Sequence, residues 1–257
     1  YCIKMKTYRT RAYAKINIGL DVTGKRGDGY HLIDSVMQQI GLSDELIFSV
    51  RHDGKTVIRC SDPAVQVDES NLVCKAVRAM SEARPDMIPG LDIEIIKGIP
   101  VEAGLAGGSA DGAAAINAVN EMFGLGMNRD ELKTIGAKLG ADIPFCLTGG
   151  TVRCEGIGEV LTPLRPLPDC SILIVKPRGG MSTKTVYSEL DRMDPDHPDM
   201  GGVLAGIEEG SLRKICSSMG NILENVTVTQ YPEIEEIKKY MNEHGALGSL
   251  MSGSGTS

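Results

Sequence analysis

Pro100-Val101-Glu102-Ala103-Gly104-Leu105-Ala106-Gly107-Gly108-Ser109-Ala110-Asp111-Gly112 runs straight into an alanine-rich stretch of helix-forming residues. Three glycines and two alanines ahead of Ser109 let a backbone turn tightly and approach a ligand with few Cβ atoms in the way. The helix that follows offers unpaired first-turn N–H groups and the positive end of its dipole, about half an elementary charge. Such a loop suits an anion, and phosphate above all. No Gly-Lys-Ser/Thr closes the loop, so it is not a Walker A motif. Glycines at 104, 107 and 108 do not make a dinucleotide G-x-G-x-x-G either. By spacing alone, a glycine-rich turn that merely begins a helix also fits.

The chain has 257 residues, enough for one large domain or two ordinary ones. Its net charge of −7 argues against nucleic acid or an anionic membrane as a partner, so a phosphate site must be positive only locally. No run approaches the roughly 18 apolar residues of a membrane helix, and no signal-peptide core is seen. Seven scattered cysteines without a C-x-x-C pair point to reduced thiols and a cytoplasmic protein. His52, His197 and His244 lack partners at metal-ligand spacing and read as surface residues. With no Trp, three Phe and seven Tyr, a tyrosine beside a motif stands out as a stacking surface.

Residues 12–22 alternate with period two, placing Ala14, Ile16, Ile18, Leu20 and Val22 on one face and Lys15, Asn17, Gly19 and Asp21 on the other. This predicts a half-buried strand with an aligned polar face. Further strands are expected at 46–50, 56–60, 91–97 and 172–176. Helical spacing marks 71–83, capped by Ser70 or Asn71, and 109–123, with Ile116, Val119 and Phe123 inward and Gly124 beyond its end. Another helix opens with Asn128 and Glu131 in capping-box spacing and stops at Gly140, leaving Asp142 in a loop stiffened by Pro144. Glycines and prolines between 149 and 168 suggest a junction, giving expected domains of 1–155 and 156–257. Beyond it, helices are expected at 182–190, 203–218 and 232–243, the last with Glu235 and Lys239 paired outside. The chain then enters a second glycine-rich segment, Gly245 to Gly255, and the true C-terminal end is expected to be missing.

A phosphate cradle becomes a transferase when a base handles the attacking hydroxyl and a cation meets the transferring group. Asp142 suits the first role and Lys15 the second, with Asn17 on the same strand face able to share a ligand. Each has an ordinary alternative. A loop aspartate caps or forms turns, and strand lysines are commonly solvated.

Taken together, Ala14-Lys15-Ile16-Asn17, Gly29-Tyr30-His31, Pro100 through Ala110, Leu139-Gly140-Ala141-Asp142-Ile143-Pro144 and Gly253-Ser254-Gly255 resemble the GHMP kinases, in order and over nearly the whole chain. The resemblance is closest to members acting on 4-diphosphocytidyl-2-C-methyl-D-erythritol in the non-mevalonate isoprenoid pathway. It implies an α+β fold of two domains: an N-terminal α/β domain with a left-handed βαβ unit, and a smaller, incomplete C-terminal α+β domain lacking its last strand and helix. ATP and substrate would lie in the cleft between domains, and ATP would phosphorylate the 2-hydroxyl of the substrate. Asp142 matches the family's catalytic base. Lys15 matches the partner that lowers the base's pKa and stabilises the transferring group. Pro100, Gly104, Leu105, Ala106, Gly107, Gly108, Ser109 and Ala110 match the ATP-phosphate loop, and Lys97 and Asn71 match groups near the adenosine. Tyr30, His31 and Tyr187 match contacts to the pyrimidine, with Asn17 also at the substrate and Gly253, Ser254 and Gly255 as the C-terminal glycine loop. Mg²⁺ is expected with ATP, its ligands unassigned beyond the Ser109 oxygen. The implied partner is a small molecule carrying a cytidine diphosphate group, with no nucleic acid, no membrane and no obligate protein partner. Thr256 stands where family members often have proline. Kinases of the same family acting on homoserine, mevalonate or a sugar, a nucleotide-binding sensor without turnover, and a scaffold remain as alternatives. Tyr30, His31 and Tyr187 argue against the first of these, and Lys15 with Asp142 against the second.

Overall fold

The computed structural model describes residues 6–85 and 87–257. It divides into two compact units that do not follow the linear order of the chain. The first holds the chain up to Ala14 with Ile40–Val101 and Ala106–Thr148; the second holds Lys15–Gln39, Glu102–Leu105 and Gly149–Ser257.

Two long strands, β1 (Thr7–Lys25) and β2 (His31–Val50), run through both units. In the first unit, β2 pairs antiparallel with β4 (Leu91–Ile96), from Glu45 opposite Ile96 to Val50 opposite Leu91. On the far edge β3 (Thr56–Cys60) pairs parallel with β4, and the connection between them carries α1 (Leu72–Ala83). Asn71 is the N-cap of α1: its side chain accepts from the Val73 N–H. α1 touches β3, and α2 (Gly107–Phe123) packs against α1, α3 (Arg129–Ala137) and α4 (Ile143–Thr148). Asn128 and Glu131 complete both halves of the α3 capping box.

Alanine makes α2 slim, and Ala110 through Ile116, Ala118, Val119, Met122 and Phe123 are all buried, far more than the single stripe expected. Close approach follows: a side chain at Gly112 would stand 3.3 Å from Ile143 Cδ1 and 3.4 Å from Leu72 Cβ. Asp142 lies in the turn expected after α3, directly ahead of α4, but Pro144 belongs to the helix and not to that turn. Pro144 falls in that helix's first turn, where its missing N–H costs nothing.

In the second unit β2 pairs with β5 (Thr151–Gly156), which turns back into β6 (Val160–Pro163). On the other side β1 pairs parallel with the short β7 (Gly220–Asn221). The glycines expected to mark a junction thus include those of a hairpin. The helices are α5 (Thr183–Leu190), α6 (Met200–Glu209), α7 (Leu212–Ser218), α8 (Glu224–Gln230) and α9 (Glu233–Glu243). The single helix expected over 203–218 is broken because Gly210 ends α6 in the left-handed conformation and Ser211 caps α7. Glu235 pairs with Lys238 at 3.2 Å, and Lys239 with Glu243 at 3.9 Å, in place of the expected Glu235–Lys239 pair.

One core joins Leu20, Val186, Leu190, Ile222, Leu223, Val226, Ile234 and Met251; a second joins Ile18, Val36, Met200, Val203, Ile207 and Ile215. Residues 172–176 form no strand. No described segment pairs with them, Leu173 is 70% exposed, and they border an apolar cavity of about 660 Å³.

Candidate active site

In the second unit the polar face of β1 is buried, not half-exposed as its alternation suggests: Lys15 is 4% and Asn17 3% exposed. Lys15 Nζ donates to Asn17 Oδ1 at 2.6 Å, Asn17 Nδ2 to Ser35 Oγ at 2.8 Å, and Ser35 Oγ to the Gly19 carbonyl at 2.8 Å. Among the described residues no carboxylate pairs with Lys15. A buried ammonium held only by a neutral amide is costly unless an anion completes its shell.

The two glycine segments meet around this lysine. Lys15 N–H donates to the Leu105 carbonyl at 3.1 Å. Ser252 Oγ accepts from the Asn17 N–H at 3.2 Å and donates to the Gly104 carbonyl at 3.1 Å. Gly104 has φ +73°, and a Cβ there would stand 2.0 Å from the Ser252 carbonyl oxygen, so no other residue fits. Gly253, at φ +57°, leaves room for Lys15 Nζ, 3.4 Å from where its Cβ would be. Asn221 clamps the second segment, donating to the Met251 and Gly253 carbonyls at 2.8 Å each. Ser254 Oγ lies 3.0 Å from Thr183 Oγ.

The pyrimidine candidates also assemble in this unit. His31 and Tyr187 rings lie with centroids 4.8 Å apart, tilted by 36°. Asp191, one turn beyond Tyr187, holds His31 Nε2 at 2.6 Å and Lys25 Nζ at 2.5 Å. The lysine and then the histidine hold the Asp191 carboxyl below the usual carboxylate range. Tyr30 is 61% exposed and presents its ring to solvent.

In the first unit, α2 begins at Ala106, itself left-handed (φ +57°), with no side-chain cap. The first-turn N–H groups of Gly107, Gly108 and Ser109 are therefore left to an outside acceptor. Ser109 Oγ is 3.9 Å from the position a Cβ would take at Gly140, which brings the start of α2 beside the loop that carries Asp142. Asp142, partly exposed, has no ion-pair partner among the described residues. Beneath the start of α2, Lys97 bonds Asp44, and Asp111 at 3.2 Å. Asp44 also accepts from the Gly98 and Ile99 N–H groups at 2.7 and 2.8 Å, fixing the turn ahead of Pro100, which is exposed. Burial pushes the Asp111 carboxyl up to about 7, and Asp111 Oδ1 is buried without a hydrogen bond. Burial pulls on Lys97 in the opposite sense, but its two carboxylates outweigh it and hold the ammonium above its ordinary value. Lys97, expected near adenosine, thus has its side chain 8% exposed and committed to two carboxylates. Asn71 likewise spends its amide on the α1 cap and on the Gln66 carbonyl. Neither the triad of Asp44, Lys97 and Asp111 nor the clamps Ser35, Asn221 and Ser252 were visible from sequence spacing. Asp191 could have been found from its i, i+4 spacing to Tyr187 on one helix face.

Residues 71–150 match the family described as GHMP kinases N terminal domain, and 203–257 match GHMP kinases C terminal. The chain is 46% identical over 248 residues to the 4-diphosphocytidyl-2-C-methyl-D-erythritol kinase of Clostridium novyi (strain NT), covering 96% of this chain and 88% of the relative. The chain belongs to the GHMP kinases. A second relative of the same printed name, from Lachnospira eligens, is 44% identical over 252 residues, covering 98% and 87%. A crystal structure of 4-(cytidine 5'-diphospho)-2C-methyl-D-erythritol kinase superposes with a TM-score of 0.77 at 29% identity, covering 97% of this chain and 88% of that one. As a GHMP kinase the protein is an ATP-dependent kinase of mixed α and β structure. No described helix is long and apolar enough to cross a membrane.

Proposed function

We propose that this GHMP kinase transfers the γ-phosphoryl group of ATP to the 2-hydroxyl of 4-diphosphocytidyl-2-C-methyl-D-erythritol, a step of isoprenoid precursor synthesis in the cytoplasm. The observation that carries the choice of substrate is the His31–Tyr187 pair, an aromatic surface with a polar edge. Relatives alike over nearly the whole chain are named as kinases of 4-diphosphocytidyl-2-C-methyl-D-erythritol, which supports this choice of substrate, and mevalonate or homoserine would offer no base to such a surface.

The uncapped N–H groups of Gly107, Gly108 and Ser109 bind ATP phosphate oxygens, with Pro100 through Ala106 forming the approach; Lys97, tied to Asp44 and Asp111, and Asn71, tied to the α1 cap, act as supports of that loop and helix and not as direct nucleoside contacts. Asp142 accepts the proton of the attacking hydroxyl, and Lys15, buried without a counter-carboxylate, stabilises the charge on the transferring group. Asn17 orients Lys15 and the substrate, while Gly253, Ser254 and Gly255 hold the backbone around the lysine. Tyr30 and Tyr187 stack on the cytosine and His31 reads its edge. Such general-base catalysis contributes about 10²–10⁴-fold, and alignment and electrostatics supply most of the rest.

Among the described residues no three His, Cys, Asp or Glu side chains form a metal cluster. Mg²⁺ would therefore take one oxygen from Ser109 and the remainder from phosphate and water, which suits its habit of keeping several waters. Bound there, it would neutralise charge on the phosphates.

ADP release with Mg-ATP tests the reading, comparing the cytidylated substrate with mevalonate, homoserine and free methylerythritol phosphate. Turnover confined to the first, with Tyr187→Ala raising its KM and leaving that of ATP unchanged, is the expected result. Turnover on another alcohol would replace the substrate assignment. ATP binding without any turnover would favour a nucleotide sensor.

A further inference from the structure

The contact between His31 and Asp191 fixes more than the position of a ring. Asp191 Oδ2 already accepts from Lys25 Nζ at 2.5 Å, so this carboxylate is tied to a cation and acts on the imidazole as an acceptor. Its Oδ1 lies 2.6 Å from His31 Nε2. An acceptor at that distance requires the proton of a neutral imidazole to sit on Nε2, which leaves Nδ1 with a lone pair and no proton. No described residue hydrogen-bonds Nδ1, and Tyr187 flanks the ring. The histidine therefore offers a ligand a hydrogen-bond acceptor.

Resting on the functional reading above, we propose that Asp191 is a positioning residue for base selectivity: by holding His31 as the Nε2–H tautomer, it turns Nδ1 into an acceptor for the exocyclic amine of cytosine and against the corresponding carbonyl of uracil. Cytosine carries its amine donor at N4, where a uracil held in the same place presents the O4 acceptor. Two acceptors facing each other lose the hydrogen bond and leave both groups unsatisfied, and polar mismatches of this kind discriminate far better than shape alone. Lys25 serves the arrangement by keeping Asp191 an anion; a protonated carboxyl could donate to Nε2 and reverse the tautomer.

The test measures CDP against UDP affinity with a non-hydrolysable ATP analogue filling the ATP site, in the wild type, Asp191→Ala and Asp191→Asn. Histidine ¹⁵N spectra at alkaline pH accompany it, reporting which ring nitrogen of His31 bears the proton. The wild type should show His31 protonated on Nε2 and a CDP preference. Both variants should lose roughly tenfold of that preference, the worth of one such hydrogen bond. On the cytidylated substrate, KM should rise while kcat changes little. A wild-type His31 protonated on Nδ1 would overturn the inference even if neither variant folds. So would a CDP preference that survives in the variants. A wild type without preference between CDP and UDP would instead remove the cytidyl substrate from the functional reading, and the inference with it.

Discussion

At the scale of single residues, two positions carry opposite kinds of necessity. Asp142 stands at the entrance to α4 with no ion pair among the described residues, a carboxylate kept available and not spent on structure. Asp142→Asn should therefore lower kcat by about 10²–10⁴-fold and leave ATP affinity nearly intact. Steady-state ADP release with a separate ATP titration decides this; a variant keeping half its rate would take Asp142 out of the chemistry. Gly104 is spent entirely on structure. Its positive φ and the Ser252 oxygen 2.0 Å from a Cβ position bar any side chain. Gly104→Ala should destabilise the protein by about 2–4 kcal/mol, read from denaturant unfolding. A variant within about 0.5 kcal/mol of the wild type would show that the two glycine segments do not interlock as described.

Elements were legible in the sequence where a local signal sets them. Asn71 and the Asn128–Glu131 box mark helix starts that need no tertiary help, and 56–60 reads directly as β3. What stayed hidden depends on partners distant in sequence. Residues 172–176 have strand composition, yet without a paired neighbour they make no ladder. The alternation of β1 suggested a solvated face, but β2, β7 and the glycine segments bury it, and with it Lys15 and Asn17. Likewise α2 conceals a titrating group. Unfolded, Asp111 ionises near the ordinary 3.8; folded, near about 7. A raised folded value means that its contribution to stability is complete below about 4 and is lost as pH rises through about 7. Asp111→Asn cannot ionise, so its Tm relative to the wild type should climb across that window. A difference independent of pH would show that Asp111 is already ionised in the fold.

For the molecule as a whole, the family could be read from motifs, and so could the candidates for phosphate loop, base and lysine, because each needs particular residue types at short spacing. The supports around them could not. Asp44 and Lys97 are 53 residues apart, and Asn17 and Ser252 are 235 apart. Only the fold brings them together. The proposed reaction transfers a phosphoryl group to one hydroxyl of a cytidylated polyol. It is tested most directly by phosphorus and carbon NMR of the product formed from Mg-ATP and 4-diphosphocytidyl-2-C-methyl-D-erythritol. One new phosphomonoester coupled to carbon 2, with the cytidine diphosphate intact, is the expected result. Phosphate on another hydroxyl, or inorganic phosphate released with the polyol unchanged, would contradict it.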